Sequence, residues 1–228
     1  MSRNKSTWTE VLAERGHALI PNFLSIATCK RLRDSYTDDA RFRGTVIMHR
    51  HGFGQGEYRY FDYPLPPLVA DLRREMYGHL QPVANLWQKC LGLRERYPPV
   101  FDDFLDRCHK SGQSRPTALM LKYGIGDYNR SHQDLYGEVQ FPLQVAVLLS
   151  NPDREFCGGE FVLSEQTPRK QTRVSVVPIS MGDAVVFAGN VYPGIGPRGF
   201  HRRTQRHAVS EVRDGERYCL GLIFHDGQ

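Results

Sequence analysis

The sequence predicts an α+β fold in which strands predominate and helices lie mainly in the N-terminal half. Apolar residues recur at helical spacing after Ser25 and again over residues 68–91. The C-terminal half instead carries short apolar segments, such as residues 143–149, whose length and composition are typical of buried strands. The 228 residues, with 40% hydrophobic content, fit a single domain, because closed β folds commonly reach that size undivided.

The N-terminal half is expected to combine helices with a few strands. Ser25 is a favourable N-cap for a first helix that should buttress the strands. Residues 41–63 contain glycines and scattered basic residues, which indicates strands joined by a mobile loop. Residues 68–91 are predicted to form one long helix or two consecutive helices, because Pro82 either kinks or ends the first. Prolines and a polar segment then lead to Arg115, after which the main strands begin.

The C-terminal half is expected to consist of strands and turns. The pair Gly182-Asp183 predicts a hairpin turn between residues 174–177 and 184–187. Residues 189–200 are rich in glycine and proline and are long for a connection, so they are interpreted as a lid or a wall for a substrate.

Three further features are open to more than one interpretation. Gly158 and Gly159 indicate either a close approach of the backbone to a site or a tight turn with a bulge. His49 and His51 form an HxH pair without a downstream partner, and we interpret them as facing a substrate or solvent rather than a second metal. The odd number of cysteines favours free thiols over a disulfide framework. These are Cys29, Cys90, Cys108, Cys157 and Cys219.

A candidate metal site begins with His132 and Asp134. In an extended strand, residues two apart point to the same face, so both side chains can reach one ion. Three histidines could supply a third ligand: His201, His207 and His225. Only His207 is followed ten residues later by a suitable cation, Arg217. Two imidazoles and one carboxylate leave open positions, as in non-haem iron(II) sites, and Arg217 could hold the far carboxylate of a co-substrate that chelates the ion.

Residues 206–224 are predicted to form a hairpin around an Asp-Gly turn. A two-residue loop would place His207 and Arg217 on opposite faces. A three-residue loop, residues 213–215, pairs Glu211 with Arg217 and brings both candidate residues to the inward face. We favour the second register, in which the inward residues are His207, Val209, Arg217, Cys219 and Gly221.

Four segments, in their order and spacing, resemble the iron(II)/2-oxoglutarate-dependent oxygenases, most nearly the prolyl-hydroxylase-like branch and in part the AlkB-type demethylases. They are residues 123–134, 157–161, 178–187 and 207–217. The resemblance is clear over residues 117–225 and looser over the N-terminal half, where residues 16–25 are similar to an opening strand and first helix.

The resemblance implies a double-stranded β-helix, or jelly-roll, core over residues 116–228, supported by a helical and strand region over residues 1–115. It implies Fe(II), 2-oxoglutarate and O2 as cofactor and co-substrates, with ascorbate as a stimulant. In this interpretation His132, Asp134 and His207 are the metal ligands and the catalytic residues. Arg217 and Tyr123 bind 2-oxoglutarate. The carboxylate of Asp134 argues against halogenation, because related halogenases have a small residue there. Arginine at position 217, where collagen-type prolyl hydroxylases have lysine, leaves the prime substrate undefined.

Three functions follow from these observations. The first is hydroxylation of a C–H bond in a protein side chain, an amino acid or a small metabolite, with release of succinate and CO2. The second is AlkB-like oxidative demethylation of alkylated nucleic acid, with base stacking on Tyr58, Tyr60 or Phe61. The third is a cupin-like module that binds a metal without redox turnover. The sequence does not discriminate among prime substrates.

The composition fits a protein of the cytoplasm. The start of the chain has no apolar signal segment, and no stretch approaches a membrane span. The formal charge of +5 is compatible with nucleic acid without requiring it. Basic residues cluster in two places and form either solvated loops or a rim that attracts a polyanion. They are Arg169, Lys170 and Arg173, and then Arg198, Arg202, Arg203 and Arg206.

Overall fold

The computed structural model describes residues 7–135, 137–197 and 199–228. Within them, helices α1 to α4 span Trp8–Arg15, Ile26–Asp34, Pro67–Cys90 and Phe101–Lys110, and 3-10 helices span Ser35–Thr37, Asp39–Arg41 and Met48–His51. The strands are β1 His17–Ile20, β2 Phe42–Ile47, β3 Gly54–Gln55, β4 Glu57–Phe61, β5 Leu119–Tyr123, β6 Tyr128–His132, β7 Leu143–Leu148, β8 Phe156–Gly158, β9 Phe161–Gln166, β10 Arg173–Val177, β11 Ala184–Ala188, β12 Val191–Gly196, β13 Gly199–Val209, β14 Val212–Gly215 and β15 Arg217–Leu222.

Most strands belong to two antiparallel sheets. The larger sheet has the order β1-β11-β7-β15-β5-β4-β2, and the smaller sheet has the order β10-β9-β13-β6-β3, with β12 pairing with the first part of β13. Strands β8 and β14 form a separate pair. Consecutive strands repeatedly change sheet, which is the arrangement of a jelly roll. The prediction of a mainly β, α+β fold with a double-stranded β-helix core is therefore confirmed.

The larger sheet separates two apolar cores. In β7 all six residues are buried, so both faces of this strand are covered. Val145 and Val147 pack with α3 residues in the main core, whereas Ala146 packs with Phe161 and Leu163 of the smaller sheet. The helices thus cover one face of the larger sheet, and the smaller sheet covers the other.

The helical region is more extensive than the sequence analysis predicted. Ser25 caps α2 as expected, because its hydroxyl accepts a hydrogen bond from the amide of Thr28 at 3.1 Å. Residues 67–90 form one continuous helix, with Pro82 inside it. Helices α1 and α4 were not predicted. Thr7 and Glu10 form a capping box at the start of α1, which is a signal that the sequence contained.

Two predicted hairpins are wrong. Strand β13 lies in the smaller sheet, whereas β15 pairs with β5 and β7 of the larger sheet. The Asp-Gly turn of residues 214–215 therefore lies in β14, which pairs with β8 as the chain crosses between sheets. Gly182-Asp183 likewise joins β10 in the smaller sheet to β11 in the larger one. Turn residues mark a reversal of the chain, but they do not specify which strand the next segment joins.

Residues 189–200 are largely a hairpin rather than an irregular loop, because β12 pairs with the first part of β13. The five cysteines are free, as predicted. Among the described helices, none has the length and apolar character needed to cross a membrane.

Candidate functional site

His132, Asp134 and His207 converge between the two sheets. His132 ends β6, and His207 lies directly opposite it on β13. The Nε2 atom of His132 lies 3.4 Å from Oδ1 of Asp134, and Nε2 of His207 lies 3.4 Å from Oδ2 of the same carboxylate. One potential ligand atom of each residue lies within 4.8 Å of the others, and this is the one such group of candidate ligands found among the described residues.

A bulge in β6 adds Asn129 to this face. His207 pairs with His132, but Val209 pairs with Asn129, so three steps along β6 match two steps along β13. Asn129 and His132 consequently both line the cavity, although an unbroken strand would place them on opposite faces. Asn129 was not predicted, because a bulge of this kind leaves no signal in the spacing.

The hydrogen bonds of the two imidazoles favour metal binding through Nε2. Nδ1 of His132 lies 2.6 Å from the carbonyl oxygen of Arg130. A carbonyl only accepts, so this contact holds a proton on Nδ1 and leaves Nε2, which faces the Asp134 carboxylate, as the nitrogen that can bind a metal. The His207 ring packs against Phe187 with centroids 4.8 Å apart, and burial lowers the pKa of His207 to about 4. His207 is therefore a neutral imidazole, which is the form that binds metals.

The carboxylate of Asp134 is held in its ionised form. Burial acts to raise its pKa, but the hydrogen bond with His132 and the charge of that imidazole hold the pKa well below its usual range. Burial acts to lower the pKa of His132, yet the Asp134 carboxylate raises it above the ordinary value. The side chain of Gln144 also favours the ionised Asp134. Gln144 was missed, although a lone amide within the apolar segment 143–149 was a usable signal.

Arg217 lies in the wall of the same cavity. It is 2% exposed, and no carboxylate lies within ion-pair distance of its guanidinium in the described part of the chain. Its Nε atom is buried without a hydrogen-bond partner. Burial of an unpaired charge is strongly unfavourable, so this site favours a bound anion.

Two predicted neighbours shape the surroundings of Arg217. Tyr123 is its pairing partner on β5, and the guanidinium carbon lies 5.5 Å from the centre of the fully buried Tyr123 ring. Gly159 has a φ of +59°, and a Cβ atom there would lie 2.8 Å from Cδ of Arg217. Gly158, with a φ of +79°, similarly approaches the carbonyl oxygen of Glu211. The interpretation of this glycine pair as a close approach of the backbone is therefore confirmed, whereas the predicted turn is wrong, because Gly158 ends β8 and pairs with Val212.

The predicted inward face of residues 207–221 is correct, although the predicted hairpin is not. All five residues of that face line the cavity, because β13 and β15 face each other across the two sheets instead of pairing within one. The five are His207, Val209, Arg217, Cys219 and Gly221. The remaining wall is mainly apolar and aromatic, and it includes Phe53, Tyr58, Tyr60, Phe161 and Phe187. Phe61, which was predicted to stack with a base, instead packs on Phe42 in the core.

The other candidate histidines lie outside this group. His201 belongs to the β12–β13 hairpin. His225 is buried, and its Nδ1 accepts a hydrogen bond from the Phe141 amide at 3.2 Å. His49 and His51 lie in an exposed 3-10 helix. Of the two basic clusters, Arg203 is 3.4 Å from Glu165, whereas Arg198 lies outside the described residues.

Comparison with known proteins agrees with this architecture. Residues 56–227 match the family Oxygenase-NA, described as "Oxygenase, catalysing oxidative methylation of damaged DNA". Uncharacterized protein Rv2227 of Mycobacterium tuberculosis is 46% identical over 166 residues, which cover 73% of this chain and 71% of that protein.

Two solved structures show the same fold. A Pseudomonas putida prolyl-4-hydroxylase has a TM-score of 0.57 and 16% identity, covering 96% of this chain and 98% of its own. An oxidoreductase of the 2OG-Fe(II) oxygenase family from Burkholderia pseudomallei has a TM-score of 0.55 and 17% identity, and the match covers 100% of this chain and 95% of that one. The family match includes the three candidate metal ligands and Arg217. The chain belongs to the Oxygenase-NA family, and it is an oxygenase with the fold of the 2-oxoglutarate- and iron(II)-dependent enzymes.

Proposed function

We propose that His132, Asp134 and His207 bind Fe(II) and that Arg217 binds the far carboxylate of 2-oxoglutarate. The donor set fits this metal, because two neutral imidazoles and a carboxylate leave three adjacent positions open. The observation that carries the co-substrate assignment is the buried guanidinium of Arg217, which has no carboxylate partner among the described residues. The dicarboxylate would supply that missing charge and chelate the metal at its other end.

The protein's own residues would orient the metal ligands and exclude water, and they would not perform the oxidation themselves. Bound iron and 2-oxoglutarate supply oxidative decarboxylation to succinate and CO2 and oxygen transfer to a C–H bond. The carbonyl of Arg130 fixes the His132 ring, and the Gln144 side chain favours the ionised Asp134. Phe161 and Phe187 close the cavity beside His207 and limit the access of water. Ascorbate would stimulate turnover by keeping the iron reduced.

For the substrate, we propose the alkyl group of a damaged nucleobase. The description of the Oxygenase-NA family supports this choice. The cavity supports it as well, because Phe53, Tyr58 and Tyr60 offer aromatic faces to a planar ring. Hydroxylation of an N-methyl group gives a hemiaminal that breaks down to the free base and formaldehyde.

Hydroxylation of a proline-like ring or a small metabolite is the second candidate. One observation favours it: among the described residues of the cavity wall, Arg217 is the single lysine or arginine. Apart from the metal site and the co-substrate site, the wall therefore favours a neutral, largely apolar group. A cupin-like module without turnover receives no support from the oxygenase family match.

The experiment is a product analysis by mass spectrometry with Fe(II), 2-oxoglutarate and O2. Single-stranded oligonucleotides that carry N-methylated bases are compared with proline-containing peptides and free amino acids. We expect repaired base and formaldehyde in amounts that match succinate. Hydroxylated peptide or amino acid with matched succinate, and no change in the oligonucleotides, would favour the second candidate. Succinate formation that none of these substrates stimulates would contradict both proposed substrate classes.

A further inference from the structure

Residues 48–53, here called the lip, lie where the cavity meets solvent. Phe53 lines the cavity together with the metal-site residues and is also 38% exposed. The lip contains the HxH pair, His49 and His51, to which the metal site gives no role. Both histidines and Arg50 between them are exposed.

The lip is tied to the strand that carries the first metal-site histidine. The amide of Phe53 donates to the carbonyl of Met48 at 3.2 Å, and the amide of Arg130 on β6 donates to the carbonyl of Phe53 at 2.8 Å. Met48 is fully buried, and Gly54, which follows the lip, pairs with Asn129. A ligand held by the lip would therefore keep a fixed position relative to His132.

The exposed side chains of the lip combine a flat aromatic face with unpaired positive charge. The rings of His51 and Phe53 are stacked, with centroids 5.4 Å apart and an interplanar angle of 22°. Arg130 is exposed beside the lip, and its guanidinium carbon lies 6.0 Å from the centre of the Tyr128 ring. No carboxylate lies within 4.0 Å of Arg50 or Arg130 in the described part of the chain.

We propose that the lip binds the nucleotide next to the target base in a single-stranded nucleic acid. This inference rests on the proposed function and adds a subsite to it. The flanking base would stack on the His51–Phe53 pair, while Arg50 and Arg130 contact the adjacent phosphates. A single strand fits better than a duplex, because the bases of a duplex are already stacked on one another.

The first test measures binding without turnover. A short, unmodified, labelled single-stranded oligonucleotide is titrated with the full-length protein and followed by fluorescence anisotropy. His51→Ala and Phe53→Ala should each weaken binding by roughly 5- to 150-fold, the usual loss for one stacked base. Leu86→Ala is the control, because Leu86 is 47% exposed and lies on α3, outside the cavity wall. Equal affinities for wild type, His51→Ala and Phe53→Ala would overturn the proposal.

The second test measures the charged contacts. For single strands, the slope of log K against log salt changes by about 0.7 for each phosphate contact. Arg50→Gln and Arg130→Gln should each reduce the slope by about this amount, whereas the exposed control Arg31→Gln should leave it unchanged. Unchanged slopes in both lip variants would contradict the phosphate contacts.

Turnover separates failure of the lip from failure of the proposed function. The ratio of kcat/KM for an alkylated trinucleotide to that for the alkylated mononucleoside should fall in His51→Ala and stay constant in Leu86→Ala. If neither substrate is oxidised, but the oligonucleotide binds through His51 and Arg50, the proposed binding by the lip is supported and the proposed function is wrong. If both substrates are oxidised and His51→Ala changes neither that ratio nor oligonucleotide affinity, the proposed function stands and the lip proposal is wrong.

Discussion

Two buried arginines, Arg73 in α3 and Arg217 in β15, have opposite surroundings. They are 1% and 2% exposed. The guanidinium of Arg73 donates to the carbonyls of Ile223 and Phe224 and to Asp226, at 3.1, 3.0 and 2.9 Å. Arg217 has an unpartnered Nε and no ion-pair partner among the described residues. The first charge is compensated within the fold, whereas the second has no such compensation among the described residues.

This difference separates a charge that is paired within the fold from one that we propose binds 2-oxoglutarate. A buried charge persists only when its surroundings compensate it. Asp226 provides that compensation for Arg73 and also lies 3.0 Å from His109. For Arg217, the compensating group would be the far carboxylate of 2-oxoglutarate.

The largest expected effect comes from removing a ligand of the proposed iron site. Asp134→Ala should abolish Fe(II) binding and coupled succinate formation, because two imidazoles alone neither neutralise nor orient the ion. Anaerobic equilibrium dialysis measures the bound iron, with Asp106→Ala, an exposed carboxylate in α4, as the control. Near-normal iron content and succinate formation in Asp134→Ala would refute this ligand assignment.

The second effect concerns stability in the absence of ligands. Arg73→Ala leaves the buried Asp226 without its arginine partner and should lower the free energy of unfolding by about 3–5 kcal/mol. Arg217→Met removes an uncompensated charge, so the free energy of unfolding should stay the same or rise. Urea denaturation of the metal-free proteins measures both values. Similar losses in the two variants would mean that Arg217 is compensated within the fold after all.

A smaller effect is expected at Gly159. In Gly159→Ala the new Cβ atom would lie 2.8 Å from Cδ of Arg217, so the guanidinium must shift. We expect 2-oxoglutarate to bind about tenfold more weakly, which corresponds to about 1.4 kcal/mol. Gly126→Ala is the control, because Gly126 also has a positive φ, of +83°, but a Cβ atom there would meet no described atom within 4 Å. If the two alanine variants bind 2-oxoglutarate with equal affinity, a side chain at position 159 does not disturb the function of Arg217.

The sequence was sufficient for the fold class and for four residues of the candidate site. His132, Asp134, His207 and Arg217 could be identified because ligand chemistry restricts residue types and their spacing, although β6 ends at His132 and Asp134 follows it. The pairing of β13 and β15 could not be predicted in this way. The sequence pattern is the same whether β13 and β15 pair as a hairpin or lie in different sheets. In either arrangement His207 and Arg217 point inward.

Other features depended on three-dimensional packing. The bulge that adds Asn129 to the cavity arises from the pairing of β6 with β13 and leaves no pattern in the sequence. The absence of a partner for Arg217 among the described residues is a property of the whole fold. In contrast, α4 was missed despite a readable signal, since Phe101, Phe104 and Cys108 recur at helical spacing and are buried.

The most direct test is a titration of 2-oxoglutarate into the anaerobic Fe(II) protein, followed by the visible charge-transfer band of the chelated keto acid. Loss of one member of a buried, charge-assisted pair typically costs about 2–5 kcal/mol. Arg217→Ala should therefore bind 2-oxoglutarate roughly 30-fold to several thousandfold more weakly than wild type, with its iron affinity nearly unchanged. Arg217→Lys should retain part of the affinity, because it keeps the charge but lacks the planar fork. Absence of the band in wild type, or equal affinity in Arg217→Ala, would contradict the account.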